Sequence, residues 1–196
     1  MTLLTSVHDD FFPEPTEVRR MLLDAPYEDY RSDWDGVTYP GINKQIPPII
    51  TRYLHTQLEG IVGFRIEPIV TFARVSTKAL APAPHKIHSD TGMATHAALV
   101  YMSEIWPEGS GTSFWRHATE GTIQSPDCNC ALVQSHSNDL TQWERTALTQ
   151  GKFNRILTYD ARLWHCAEPV GGWGTSAETG RLVLTCFFNR EMTLWR

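Results

Sequence analysis

The chain has 196 residues, of which 41% are hydrophobic and 20% charged, as is usual for a globular domain. Its net charge of −5 argues against a nucleic-acid partner, because a non-specific grip on phosphates requires positive charge. No apolar run approaches the roughly 20 residues of a membrane span, and the first residues lack the basic and apolar regions of a signal peptide. We therefore expect a single cytoplasmic domain over residues 1–196, with no membrane contact.

The first third of the chain, about residues 1–62, is predicted to be mainly helical. A short strand over 5–12 leads into a helix over 15–24, which has a proline at its first position and one apolar face. Residues 26–47 are rich in aromatic and turn residues without a clear period, and they predict a long loop. A second amphipathic helix follows a pair of prolines and is expected to end at Gly60.

From about residue 63 to residue 190 the pattern indicates a β core. Runs of β-branched and aromatic residues with partial alternation predict strands. In chain order these strands span 63–70, 71–77, 95–103, 112–117, 154–160, 162–166 and 181–188. Residues 126–151 are interpreted as an insertion that contains a short helix over 139–149. Helices followed by antiparallel strands predict an α+β domain, with a jelly-roll or barrel core that the helices buttress on one face.

A further short strand is predicted to carry His88 and Asp90 on the same face, because side chains alternate with a period of two. With a distant second histidine, such a pair forms the 2-His-1-carboxylate triad of non-haem Fe(II) oxygenases. The spacing alone has little weight, since a chain with 8 histidines and 22 acidic residues is expected to contain about one such pair by chance. His8 and Asp10 repeat it, but they precede the first helix and are interpreted as a solvated strand end. His85 would lie on the opposite strand face and is left out of the site.

The second histidine ligand is expected late in the run of strands, where His165 lies in YDARLWHCAEP. A keto-acid that chelates the metal has a distal carboxylate, which a bidentate guanidinium would bind. Arg181 opens the apolar final strand, and an arginine buried there needs a partner. Arg155 and Arg162 are rival anchors. Arg155 begins a strand on the wrong side of His165 and Arg162 lies in the tight turn before it, so Arg181 is preferred.

The order of these motifs resembles that of the 2-oxoglutarate/Fe(II) oxygenases, especially the prolyl-4-hydroxylase-like branch. There the H-x-D strand is followed by a strand with a Tyr-Leu-Asn-like end and by a Gly-Gly-Glu-Thr-x-Phe-like turn. A hydrophobic strand, the second histidine and an arginine come later. The corresponding segments here are HSD, VYMSE, GTSFWRH, NRILTYDARLWHCAEPV and Gly180-Arg181. The resemblance covers about residues 69–188, and the opening VHDDFFPEPTEVRRMLLDAPY is similar to the start of uncharacterised bacterial members.

This resemblance implies a double-stranded β-helix (jelly-roll, cupin-like) with N-terminal buttressing helices. It also implies that His88, Asp90 and His165 hold Fe(II). Arg181, together with the hydroxyl of Tyr101, would bind the C5 carboxylate of 2-oxoglutarate. The implied activity is that of a dioxygenase, most simply a hydroxylase, which consumes O2 and releases succinate and CO2.

Two features depart from the family pattern. His165 and Arg181 are 16 residues apart, which is longer than the usual family spacing, because of the insert CAEPVGGWGTSAETG. The residue two positions after the arginine, often serine or threonine in the family, is Val183 here. One hydrogen bond to the cosubstrate is therefore expected to be missing.

Two other interpretations are kept beside the oxygenase. A non-catalytic cupin-like barrel would bind a metal or ligand without turnover, but such a barrel has no need of a buried arginine after its last ligand. A structural zinc site from Cys128, Cys130 and His136 is disfavoured by its irregular spacing. The four cysteines are therefore expected to be reduced thiols, as in the cytoplasm. The substrate is left as a small molecule or a peptide side chain, and the oligomeric state stays open.

Overall fold

The computed structural model describes residues 5–32, 36–82, 85–126 and 135–191. They form two antiparallel sheets and two helices. In chain order the elements are β1 (Thr5–His8), α1 (Pro15–Leu23), β2 (Glu28–Arg31), β3 (Thr38–Asn43), α2 (Pro48–Val62), β4 (Ile66–Ser76), β5 (His96–Tyr101), β6 (Gly111–His117), a 3₁₀ turn (Leu140–Gln142), β7 (Trp143–Gln150), β8 (Arg155–Asp160), β9 (His165–Glu168) and β10 (Arg181–Arg190). Neither helix in these ranges has the length and apolar character needed to cross a membrane.

The two sheets have the interleaved strand order of a jelly roll. The larger sheet has seven strands in the order β1-β8-β5-β10-β4-β3-β2, and the smaller has three in the order β7-β6-β9. Side chains of the two sheets meet between them: the Tyr101 hydroxyl donates to Thr112 Oγ1 at 2.8 Å, and the rings of Phe114 and Tyr159 are 5.7 Å apart. The predicted α+β class with a jelly-roll core is confirmed.

Strand β10 lies at the centre of the larger sheet and is buried on both faces. Leu182 and Leu184 pack in a cluster with Leu54 of α2, so the helices buttress the outer face as predicted. Val183 and Phe187 belong to the cluster on the inner face. Because both faces are covered, the strand reads in the sequence as a continuous apolar run rather than as an alternation.

Two segments that were not predicted to be strands form strands. Residues 26–47, predicted as a long loop, contain β2 and β3, which extend the larger sheet. The helix predicted over 139–149 is wrong, because β7 begins at Trp143 and pairs with β6 over its whole length. The Glu, Arg, Ala, Leu and Gln of this segment favour helix locally, and this edge strand, with half of its side chains exposed, shows little alternation. Pairing with β6 overrides that preference, so the second half of the supposed insertion 126–151 belongs to the β core.

Several element boundaries also differ from those predicted. The two strands predicted over 63–70 and 71–77 are one strand, β4. Helix α2 runs past Gly60 and ends at Val62. Gly63 caps it, with a φ of 73°, the left-handed conformation that commonly terminates helices. His88 lies in an isolated β-bridge rather than in a regular strand. The first helix and the final strand are confirmed.

Asn154 fixes the N-terminal segment to the β core. Its side-chain Oδ1 accepts a hydrogen bond from the Phe12 backbone N–H at 2.8 Å, and its Nδ2 donates one to the Phe12 carbonyl at 2.9 Å. Its own φ is 63°, a conformation that asparagine tolerates better than most residues. We expect Asn154→Ala to lower the free energy of unfolding in urea by about 2–3 kcal/mol, since two buried backbone groups lose their partner and the backbone is strained.

Asn154→Gly is the matched control, because glycine adopts that φ without strain but has no amide. We expect Asn154→Gly to remain destabilised, by less than Asn154→Ala. Stabilities within about 0.5 kcal/mol of the parent for both variants would contradict this role.

Candidate metal centre

The structure brings His88, Asp90 and His165 together in the interior of the jelly roll. One potential ligand atom from each lies within 4.8 Å of the others. His165 Nε2 is 3.2 Å from Asp90 Oδ2, and His88 Nε2 is 3.8 Å from Asp90 Oδ1. Among the described residues this is the group of His, Cys, Asp and Glu side chains that could hold a metal ion. Two imidazole nitrogens and one carboxylate oxygen are the donor set of the 2-His-1-carboxylate triad.

Backbone hydrogen bonds fix these three residues relative to one another. His88 and His165 face each other across the isolated bridge: the His88 N–H donates to the His165 carbonyl at 3.0 Å, and the His165 N–H donates to the His88 carbonyl at 2.9 Å. The Asp90 N–H donates to the carbonyl of Ala161 at 2.7 Å. The predicted short strand is therefore wrong in detail. A bridge and a loop, rather than strand alternation, place the two side chains on one side.

In both histidines Nδ1 contacts a backbone carbonyl, which leaves Nε2 as the atom that can bind a metal. His88 Nδ1 lies 3.0 Å from the Lys86 carbonyl, and His165 Nδ1 lies 2.9 Å from the Leu163 carbonyl. A carbonyl only accepts, so each Nδ1 must carry the proton and each Nε2 of a neutral ring then has a lone pair. This is the arrangement by which proteins orient metal-binding imidazoles.

The electrostatics of His88 and Asp90 favour the states that bind a metal, whereas those of His165 favour its protonated form. Burial, and then the nearby His165, lowers the pKa of His88 to about 4. Burial alone would raise the pKa of Asp90, but His165 and His88 outweigh it, so the pKa of this carboxyl is lowered. His88 is therefore neutral and Asp90 ionised at neutral pH. Burial would lower the pKa of His165, but Asp90 outweighs burial and raises it.

Tyr159 on β8 is a residue of this site that sequence reasoning missed. Its hydroxyl lies 3.1 Å from Asp90 Oδ2 and 3.2 Å from His165 Nε2. Burial, and then the Asp90 carboxylate, raises the pKa of this hydroxyl well above its ordinary value. The protonated hydroxyl donates to Asp90 and restrains the carboxylate. The sequence around Tyr159 did not predict this contact, because the contact depends on the pairing of β8 with β5.

Arg181 is buried close to the triad, with 4% of its surface exposed. Its Nε is buried without a hydrogen-bond partner, and burial lowers its pKa. Tyr101, on the neighbouring strand β5, is fully buried and donates to Thr112. Burial raises the pKa of Tyr101 to about 12. The ring of Trp106 lies 6.0 Å from the guanidinium and 4.7 Å from the Tyr101 ring.

The rival anchors are already paired. Arg155 Nε lies 2.6 Å from Asp9 Oδ1, and Arg162 Nη2 lies 2.6 Å from Asp160 Oδ2. In the part of the chain that the structure describes, Arg181 has no ion pair of this kind. The two rival arginines are thus paired within the protein, whereas Arg181 has a buried Nε without a hydrogen-bond partner.

A cavity that is partly open to solvent lies beside the triad. The side chains on its wall that can bind or react are Arg74, His85, Lys86, His88, Cys166 and Arg181. Sequence reasoning missed Arg74 and excluded His85. The group that could hold a metal does not include His85. The alternation argument that excluded it does not apply, however, because residues 85–87 do not form a strand. Arg74 could have been noticed as a charged residue within the largely apolar strand FARVS.

Fold and site together define a jelly-roll protein with a 2-His-1-carboxylate candidate metal centre. The model of a protein family of unknown function, DUF6445, matches residues 4–188. The chain therefore belongs to the DUF6445 family. No curated protein matches the sequence.

Solved structures of similar fold include three enzymes or complexes with low sequence identity. The non-haem alpha-ketoglutarate-dependent carbocyclase SnoK from nogalamycin biosynthesis has a TM-score of 0.63 and 15% identity, covering 94% of this chain and 78% of that one. The epimerase SnoN, in complex with Fe3+, alpha-ketoglutarate and nogalamycin RO, has a TM-score of 0.60 and 14% identity over the same shares.

HygX from Streptomyces hygroscopicus, with nickel, 2-oxoglutarate and hygromycin B bound, has a TM-score of 0.56 and 15% identity, covering 98% of this chain and 85% of that one. These likenesses show the double-stranded β-helix fold. The narrower placement in a prolyl-4-hydroxylase-like branch stays a prediction, as do the roles of individual site residues. Cys128 and Cys130, of the alternative zinc site, lie outside the described residues.

Proposed function

We propose that this protein is an Fe(II)- and 2-oxoglutarate-dependent dioxygenase that hydroxylates a small molecule or a peptide side chain. The observation that carries the proposal is the pairing of the His88, Asp90 and His165 triad with Arg181. The triad supplies the donor atoms of a non-haem iron site, and Arg181 is a buried cation whose Nε has no partner. A buried charge is costly unless it is paired, so an anionic cosubstrate would relieve the cost of burying Arg181.

The residues of the site fit both ligands. The two Nε2 atoms and the Asp90 carboxylate would hold Fe(II), and Tyr159 would keep the carboxylate oriented. When bound, iron would supply the chemistry by which O2 converts 2-oxoglutarate to succinate and CO2 and oxidises the substrate. Arg181 would orient the cosubstrate through its distal carboxylate. Trp106, which lies beside Arg181 and Tyr101, would exclude water and so strengthen that ion pair.

A small molecule is the substrate class we favour. In support, SnoN and HygX were solved with nogalamycin RO and hygromycin B, respectively. We also propose a cytoplasmic location. In support, Cys166 and Cys186 are free and buried, which suits a reducing compartment.

The proposal is tested by incubating the purified protein anaerobically with Fe(II) and 2-oxoglutarate. We expect a weak charge-transfer band in the visible range, followed by release of succinate when O2 and a library of small molecules and peptides are added. The library compounds that increase the release of succinate would identify the substrate class.

The alternative function, a non-catalytic cupin-like binding protein, gives a different result in the same experiment. It would bind the metal but not 2-oxoglutarate, and it would release no succinate. A protein that binds neither Fe(II) nor 2-oxoglutarate would contradict the oxygenase proposal altogether.

A further inference from the structure

A second arginine, Arg74, lies beside Arg181 on the inner wall of the larger sheet. In the pairing of β4 with β10, Arg74 is opposite Val183 and Arg181 is opposite Ser76. The two arginines are therefore diagonal neighbours on one face. Both line the cavity beside the triad.

The protein leaves Arg74, like Arg181, incompletely paired. The Nε atoms of both guanidinium groups are buried without a hydrogen-bond partner. Burial, and then the charge of Arg181, lowers the pKa of Arg74 to about 10, so Arg74 is still positive at neutral pH. The ring of Tyr39 lies 5.9 Å from the Arg74 guanidinium carbon, which is a contact with the face of the group and does not satisfy Nε.

The cavity wall adds further donors and no carboxylate. His85 has a buried Nδ1 without a hydrogen-bond partner, and Lys86 is next to it on the wall. Within the described residues that line the cavity there is no Asp or Glu. Asp90 is close enough to influence Arg74, but its oxygens face His165, Tyr159 and His88.

The charges expected in the site with Fe(II) and 2-oxoglutarate bound also indicate that Arg74 needs an anionic partner. The charges of Fe(II) and Arg181 would balance those of Asp90 and the two carboxylates of 2-oxoglutarate. The charge of Arg74 would then have no counterpart, although buried charges in proteins are normally paired. The loaded site would therefore still require one anion.

We propose that Arg74, assisted by His85, binds an acidic group of the substrate, so that the substrate is an organic acid with a carboxylate or a phosphate. This inference rests on the proposed function and narrows its substrate class. A guanidinium suits both groups, because its planar fork donates two parallel hydrogen bonds to either.

The test measures whether a second anion binds after the cosubstrate. The protein is saturated with Zn(II) and 2-oxoglutarate, and the binding of propionate, benzoate, inorganic phosphate, propionamide and benzamide is followed by ligand-observed NMR. We expect at least one anion to bind without displacing 2-oxoglutarate, and a neutral amide to bind about tenfold more weakly than its acid. Preference for phosphate over the carboxylates would identify a phosphorylated substrate, and the reverse a carboxylic acid.

Variants then assign this binding to Arg74. We expect Arg74→Gln to weaken anion binding about tenfold or more, to leave the affinity for 2-oxoglutarate within about threefold, and to fold with a similar Tm. Arg74→Lys retains the charge and is expected to recover part of the binding. Arg116→Gln is the matched control, because Arg116 is exposed on β6 and paired with Glu144.

Three results would overturn the inference. The first is that no anion binds to the loaded protein, or that acids and amides bind equally well. The second is that Arg74→Gln binds anions as the parent does. The third is that Arg74→Gln weakens 2-oxoglutarate as strongly as Arg181→Gln does, which would make Arg74 a cosubstrate ligand. Failure of the protein to bind metal and 2-oxoglutarate in the first place would instead overturn the proposed function itself.

Discussion

His165→Ala is expected to weaken Fe(II) binding by about a hundredfold or more. His165 contributes one of three ligand atoms, and even residues that merely orient a ligand change metal affinity by about 10- to 100-fold. The measurement is a competitive titration of Fe(II) under anaerobic conditions. Because His165 is buried, His165→Gln, which leaves a smaller cavity, serves as a second variant, with circular dichroism and Tm as checks of folding.

The sequence itself offers the matched control for this experiment. His8 and Asp10 repeat the H-x-D spacing of the triad pair, but His8 is exposed and its ring contacts Ser6 at 2.6 Å. We expect His8→Ala to bind iron as the parent does. Iron affinity that is unchanged in a folded His165 variant, or lost in His8→Ala, would contradict the assignment of the triad.

Arg181→Gln is expected to weaken 2-oxoglutarate binding by about a hundredfold while leaving Fe(II) binding within about threefold. Removing one partner of a buried charge pair commonly costs about 2–5 kcal/mol, because the remaining charge is left unpaired. Isothermal titration calorimetry of 2-oxoglutarate into the metal-loaded protein measures the affinity for 2-oxoglutarate. The competitive iron titration measures the affinity for Fe(II).

Arg162→Gln is the control for Arg181, since Arg162 is half-exposed and already paired with Asp160. We expect it to leave both affinities unchanged. Equal loss of iron and 2-oxoglutarate binding in Arg181→Gln would indicate a folding defect, and loss of 2-oxoglutarate in Arg162→Gln would indicate the wrong anchor.

The sequence predicted those parts of the fold in which local pattern and tertiary environment agree. The apolar run of β10 and the amphipathic faces of the two helices are visible because burial selects for them. Strands β2 and β7 were missed because half or more of their side chains are exposed. Strand β3 was missed although it is largely buried, because it contains Pro40 and Gly41, which usually indicate a turn. An exposed strand has little hydrophobic alternation, and only its pairing partner, distant in the chain, defines it.

The site was predictable to the extent that it depends on residue type and order. His88, Asp90, His165 and Arg181 are of the residue types that a non-haem iron site and its anionic cosubstrate use, and their order along the chain suggested a common site. Arg74, His85 and Tyr159 could not be assigned in this way, because their proximity to the triad depends on strand register and on a loop conformation. The period-two argument by which His85 was left out does not apply to that loop, because residues 85–87 do not form a strand.

The bridge between His88 and His165 has a consequence for how this chain can vary. The two ligands are joined by reciprocal backbone hydrogen bonds, which do not depend on the identity of either side chain or on the length of the chain between them. An insertion between the two ligands that leaves this bridge intact is therefore expected to leave the metal-binding atoms in place. Substitution at either histidine changes the donor atom and keeps its location. The backbone thus determines where the two histidine ligands lie, and their side chains determine which atoms they offer to the metal.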